Sequence, residues 1–330
     1  MIHISTILKH YKRPEIQKEI VRTAEGREVA FRYGEGFGKR PDTLTYPADV
    51  LEMAKKGATS FHISEERWKN PLRISTDMKQ QELEALRTGW DLVIDIDCPA
   101  WKIAKLIAWL FVKALKEHGL KSVSVKFSGN KGFHIGVPFE AFQNEIAGTK
   151  TSLLFPDAPH KIATYLLDYI GEKHTRVTAE NSIVFGGKAR VSLQKLKELL
   201  KKDFSELTKK HCRQCKKEIQ CAEPSTKTEF ICLTCETRIV EDADFMKCPK
   251  CSRFMERAAF NEKKQACECG SSDFETRFDP SAVVEVDTIL ISKRHLYRSV
   301  YSLHEKSGLA SVPVDPDRIL SFEKEMASPQ

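Results

Sequence analysis

The sequence predicts a mixed α/β (α+β) core interrupted by a cysteine-rich insertion. Three observations predict it. Strand-like and helix-like segments alternate over the first 200 residues, the pattern expected when helices pack on a sheet. The composition then changes near Lys201, and nine of the ten cysteines fall between Cys212 and Cys269. Finally, a strand-and-loop pattern returns from Val283 to Val314. The expected organisation is a first core segment over 1–200, an insertion over 201–278 and a C-terminal return over 279–330.

Each element has a local reason. Residues 5–22 read as helical and lead to Gly26, and REVAFRY (27–33) has a short strand pattern. Gly34, Gly36 and Gly38 then make a loop. PADVLEMAKKG (47–57) has Pro near its start and Gly at its end, which reads as a helix. A further helix is expected over 76–87, closed by Gly89. WDLVIDID (90–97) is rich in branched residues and reads as a strand. In residues 102–118, Ile103, Leu106, Ile107, Leu110, Phe111, Ala114 and Leu115 recur at helical period, with Gly119 as the stop. SVSVKF (122–127) is a strand, SGNKG a turn, and Phe133 to Val137 a second apolar strand. Residues 158–170 and 192–201 read as helices.

The chain of 330 residues is 41% hydrophobic and 30% charged, enough for a sizeable core. Lys plus Arg number 53 against 46 acids, a net charge of +7. That mild excess suits a nucleic-acid or nucleotide partner without demanding one. The longest apolar run, Leu106 to Val112, falls well short of a bilayer's thickness. The start, MIHISTILKHYKRPE, meets charge and proline too early for a secretory signal. Neither a membrane protein nor a secreted one is expected.

The cysteines come in tight pairs: Cys212 and Cys215, Cys232 and Cys235, Cys248 and Cys251, then Cys267 and Cys269. A disulfide scaffold would be short and more evenly crossed. Zinc takes four thiolates in a tetrahedron, and a two-residue gap lets one knuckle supply two of them. Sixteen residues separate the first two pairs and fifteen the last two, within the zinc-ribbon range. The simplest reading is two successive sites: Cys212, Cys215, Cys232 and Cys235, then Cys248, Cys251, Cys267 and Cys269. Interleaved pairing, first with third and second with fourth, is the alternative. Four thiolates fill each ion's coordination, so both sites would be structural. Cys221 and His211 read as bystanders, Cys98 as packing, and Phe245 and Phe254 as core of a small domain. Arg213, Lys216 and Lys217 are candidate nucleic-acid contacts, with a solvated face as the plainer reading.

Asp95 and Asp97 are two apart on a strand, so both carboxylates project to one side with Cα atoms about 7 Å apart. Such a pair can hold hard divalent cations, the device of two-metal phosphoryl transfer. Asp91 lies one pleat further away, beyond Val93, and reads as structural. SGNKGFH (128–134) follows a strand. Its glycines let backbone N–H groups approach a phosphate, while Ser128, Lys131 and His134 add a hydroxyl and positive charge.

WDLVIDID followed by VKFSGNKGFHIGV resembles the catalytic small subunit of archaeal and eukaryotic DNA primases. VDTILISKRHLYRSVYSLHEKSGLASVPV resembles that family's C-terminal motif, and REVAFRY…GKRPDTL its N-terminal segment. The resemblance covers roughly residues 25–145 and 283–320, with the motifs in the family's order and closest to the archaeal form. It implies the archaeo-eukaryotic primase core, carrying the cysteine-rich segment as an inserted zinc-ribbon module.

The resemblance also implies roles. Asp95, Asp97 and Asp287 would hold catalytic Mg²⁺ or Mn²⁺, with Glu285 competing with Asp287 as the third acid. Ser128, Lys131 and His134 would hold the incoming nucleotide's phosphates, joined by Arg40 and Arg298. His304 matches the histidine of the family's SLH element. The family often has Arg where this chain has Lys131, and its span from Asp287 to Arg298 is one residue longer. The implied activity is primer synthesis for replication on single-stranded DNA, from NTPs or dNTPs. A separate large subunit would carry an iron–sulfur cluster, and the enzyme would work in the cytoplasm, at the nucleoid if archaeal. A primase-like repair or gap-filling polymerase and a non-catalytic zinc-ribbon nucleic-acid binder are the alternatives.

Overall fold

The computed structural model describes residues 2–219, 226–241, 243–261, 267–286 and 294–329. It divides into two compact units, one of residues 1–207 with 278–330 and one of residues 208–277.

In the larger unit a five-stranded sheet runs in the order Glu285–Val286, Leu92–Asp97, Gly132–Val137, Ser124–Phe127, Pro313–Val314. Every pairing in it is antiparallel, so the core is α+β without the parallel crossovers of a doubly wound sheet. One face is buried under the long helix Trp101–Glu117. Leu92, Ile94 and Ile96 meet Phe133, Ile135, Ile103, Ile107 and Phe111 there in one apolar cluster. Strand alternation therefore turns Val93, Asp95 and Asp97 to the other face.

A second antiparallel sheet has the order Gly36–Phe37, Val29–Tyr33, Ser60–Ser64, Leu296–Arg298. Its cluster draws on the helices Ile4–Tyr11, Pro14–Ala24 and Pro47–Lys55. The helix expected over 5–22 is thus two. Pro14 has no N–H, and its ring pushes Arg13 to ψ 120°. The helix expected over 76–87 shortens to Gln80–Leu86, and Gly89 lies inside the strand Arg87–Trp90. Asp91 breaks the strand expected over 90–97. Its N–H turns away to the Glu65 carbonyl, and its carboxylate is held by Arg27 and Arg67.

The smaller unit corrects the expected zinc pairing. Its thiols gather as Cys212, Cys215, Cys267 and Cys269, and as Cys232, Cys235, Cys248 and Cys251. The pairing is nested, neither successive nor interleaved. The reason is antiparallel closure. Strand Thr208–Cys212, entering the first knuckle, neighbours Phe274–Phe278, leaving the last. Thr226–Ile231 pairs along its length with Glu256–Asn261 and brings the two inner knuckles together. Distance along the chain reports neither pairing.

All four knuckles share one construction. The residue after the second cysteine is left-handed: Lys216 at φ 63°, Glu236 at 55°, Ser252 at 60° and Gly270 at 83°. Its N–H donates to the first cysteine's carbonyl at 2.8–2.9 Å. Facing thiols stand 3.6 Å apart for Cys212 and Cys269, and 3.4 Å for Cys215 and Cys267. In the inner set Cys232–Cys251 and Cys235–Cys248 are each 3.4 Å apart. A zinc–sulfur length of about 2.3 Å sets tetrahedral edges of about 3.8 Å, so both sets fit one zinc each. His211 is in neither set, and Cys221 lies outside the described residues. Phe245 and Phe254 are not core: they are 75% and 67% exposed.

Candidate active site

The site grows from the pairing of Leu92–Asp97 with Gly132–Val137. Asp95 stands opposite His134, and Asp97 opposite Gly132. Gly132 must be glycine for this: a Cβ there would lie 1.6 Å from the Ile96 carbonyl oxygen and 2.8 Å from Asp97 Oδ1. The motif's second glycine thus lets the turn close against the acidic strand. Ser128 closes the same turn. Its N–H donates to the Gly132 carbonyl at 2.9 Å, and its hydroxyl accepts from the Gly132 N–H at 3.2 Å. Lys131 stands exposed at the tip.

Asp95 is in an unusual position. Its Oδ1 is buried and has no hydrogen-bond partner among the described residues. His134 Nε2 is 3.4 Å away, long for a hydrogen bond. Burial, then repulsion from Asp97, pushes the Asp95 carboxyl up to about 7. A buried carboxylate oxygen without a donor, beside a second acid on the same face, fits a divalent cation. Asp287 lies outside the described residues. Among the described residues before it, Glu285 pairs with Asp97 and Val286 with Ile96.

His134 is buried between Asp95 and a residue that the sequence reading did not single out. Lys126 lies directly opposite it on the neighbouring strand, with Nζ 2.5 Å from His134 Nδ1. The same ammonium reaches the Arg298 carbonyl, and Ser311 Oγ at 3.2 Å. The Ser311 hydroxyl donates its own proton to the Phe127 carbonyl at 2.7 Å, so toward Lys126 it accepts. Three acceptors meet the three N–H groups of an ammonium. Burial pushes the Lys126 amine well below its ordinary range, and the Asp95 carboxylate opposes that shift; with Lys126 charged, His134 Nδ1 accepts and the ring proton sits on Nε2. Burial, with Lys126 and Arg298 nearby, holds the imidazole well below its ordinary range and therefore neutral. The signal for Lys126 was its parity: Val125 and Phe127 face the core, so Lys126 faces the site.

The C-terminal segment closes over the turn. Gly129, at φ 97°, packs against His304, where a Cβ would come within 2.9 Å of the His304 Cβ. The Ser307 hydroxyl donates to the Gly129 carbonyl. Burial and the Arg298 charge lower His304 to about 4. Arg298 is itself buried, donating to the Leu303 carbonyl at 2.6 Å and Glu305 at 2.9 Å. Arg40 is engaged elsewhere, with Glu28 at 2.9 Å and the Arg294 carbonyl at 2.7 Å. Next to His134, toward the Asp91 end of the strand, opens a cleft of about 790 Å³ lined by Val93, Lys126, His134, Tyr297, Arg27 and Arg67 among others, with neither Asp95 nor Asp97 in its wall. Among the described residues no helix is long and apolar enough to cross a membrane.

Comparison with known proteins gives three findings. An uncharacterized protein of Methanocaldococcus jannaschii is 35% identical over 88 residues, which are 26% of this chain and 20% of that protein. The chain thus matches about a fifth of the length of that curated relative. Among solved structures, the polymerase domain of Mycobacterium tuberculosis Ligase D in complex with DNA aligns with a TM-score of 0.44 and 11% identity. It covers 97% of this chain and 84% of that one. Residues 94–316 match the DNA primase small subunit family. That stretch holds the acidic strand, the SGNKGFH turn and the segment that closes on it, and it is well over half of the chain, which therefore belongs to the DNA primase small subunit family.

Proposed function

We propose that the chain is the catalytic subunit of a DNA primase, starting short primers on single-stranded DNA by two-metal nucleotidyl transfer. The observation that carries this reading is the partnerless, buried Oδ1 of Asp95 beside Asp97 on one strand face. Asp95, Asp97 and Asp287 hold Mg²⁺ or Mn²⁺. Bound there, the ions activate the attacking 3′-hydroxyl and neutralise charge on the leaving pyrophosphate.

The chain's own groups orient the triphosphate. Ser128 shapes the turn so that its backbone faces the phosphates, and Lys131 brings a mobile charge to its tip. His134, neutral and protonated on Nε2, donates to a phosphate oxygen without competing for the ions' charge. Arg298 supports this corner by its field, since Glu305 already engages its guanidinium. Arg40 reaches a triphosphate only by exchanging Glu28 for a phosphate. The cleft beside His134 has room for a nucleotide. Zinc in the two thiol sets is structural, and a separate large subunit completes the enzyme.

The test is synthesis on a single-stranded template with Mg²⁺ or Mn²⁺, with NTPs or dNTPs and no primer. The wild-type chain should make products de novo, and Asp95→Ala with Asp97→Ala should make none. Products only when a primer is supplied would favour a gap-filling polymerase. Full activity of the double variant would remove the catalytic reading.

A further inference from the structure

The inner zinc hairpin of the smaller unit carries a surface that the catalytic reading does not use. Met255 donates its N–H to the Met246 carbonyl at 3.0 Å, and Lys247 pairs with Phe254. This register fixes the faces. Met246 and Met255 turn inward and pack with Cys232, Cys248 and Phe230. Lys247 and Phe254 turn outward together, and Phe245, two residues before Lys247, joins them. The result is two phenylalanines, 75% and 67% exposed, on one face of one hairpin.

A soluble chain rarely displays two large rings side by side without a partner for them. The charge around them says which partner. The Lys247 ammonium sits 5.1 Å from the Phe254 ring centroid, and Lys250 and Arg253 are exposed on the adjoining knuckle. Two acids share the hairpin with the rings, exposed Asp244 next to Phe245 in the chain and exposed Glu256 opposite Phe245 at this register. Flat apolar rings alternating with cations suit a ligand of flat rings joined by phosphates. A wholly apolar protein partner would leave the cations unpaired, and a duplex would keep its bases stacked away from the rings.

We infer that this hairpin face is a binding platform for single-stranded nucleic acid, with Phe245 and Phe254 stacking on bases and Lys247 meeting the intervening phosphate. The inference stands on the exposure and register of these residues and is independent of the catalytic reading.

The test uses the full-length, zinc-loaded chain without nucleotide or added Mg²⁺. Binding of a labelled single-stranded oligo-dT, the matching oligo-U and a duplex of equal length is followed by fluorescence anisotropy. Phe245→Ala with Phe254→Ala, both at exposed positions, should weaken single-strand binding about tenfold or more, leaving zinc content and duplex binding unchanged. The oligo-U arm separates RNA from DNA as the preferred strand. Photocrosslinking with iododeoxyuridine in the single strand should place adducts on Phe245 or Phe254. Wild-type affinity in the double variant, or adducts confined to residues outside 243–257, would overturn the proposal. A protein-docking role would show that first outcome. Primer synthesis in the same double variant reports on the catalytic reading separately, because neither ring belongs to that site.

Discussion

Lys126 shows what single residues contribute and which of them the sequence reveals. Asp95 and Asp97 were legible from strand alternation alone, since two carboxylates two residues apart must share a face. Lys126 was not, because its meaning depends on a pairing register: only the fold sets its amino group against the His134 ring nitrogen. Long-range ¹⁵N–¹H correlation of the imidazoles should therefore find His134 as the Nε2–H tautomer. Lys126→Met should give a mixed tautomer and slow synthesis about tenfold or more, as loss of an orienting group beside a metal site does. An Nδ1–H ring in the wild-type chain would refute this account of Lys126. Arg40 and Arg298 make a related point. Motif position placed both at the phosphates, but the fold supplies Glu28, 12 residues from Arg40, and Glu305, 7 residues from Arg298, as partners, and only the folded backbone turns those carboxylates toward them.

At the scale of elements, local chemistry was read correctly where it dominates. The helix over residues 101–117 and the strands around the SGNKG turn follow from period and turn residues. The break at Pro14 was also written locally, in the proline itself, and the apolar period running across it hid the break. The cysteine knuckles carry a further local rule. Each needs a left-handed residue after its second cysteine, and only the last, Gly270, is a glycine. A side chain in that conformation costs about 1 kcal/mol or more. Glu236→Gly should accordingly raise stability by about 0.5–1 kcal/mol after the extra entropy of the unfolded chain is subtracted, seen as a higher melting temperature. A lower one would mean that the Glu236 side chain is worth more than the strain it brings.

For the whole molecule, long-range antiparallel closure decides what spacing could not. Spacing picked out the eight cysteines that gather in two sets of four but misgrouped them, because the strands that flank the block pair end to end. Grouping can be counted. Cys212→Ser with Cys269→Ser should lose one zinc of two by elemental analysis, since both thiols serve the same site; losing both ions would restore a successive or interleaved pairing. The catalytic claim rests on the larger unit, where the sheet sets Asp95 and Asp97 on one face of one strand. The most direct test is Mn²⁺ binding, read by electron paramagnetic resonance with a non-hydrolysable nucleoside triphosphate present. The wild-type chain should bind two ions beside the nucleotide, and occupancy should rise as pH increases through about 7, where the proton leaves Asp95. Asp95→Asn with Asp97→Asn should abolish that signal; Mn²⁺ binding that survives the double substitution would contradict the account.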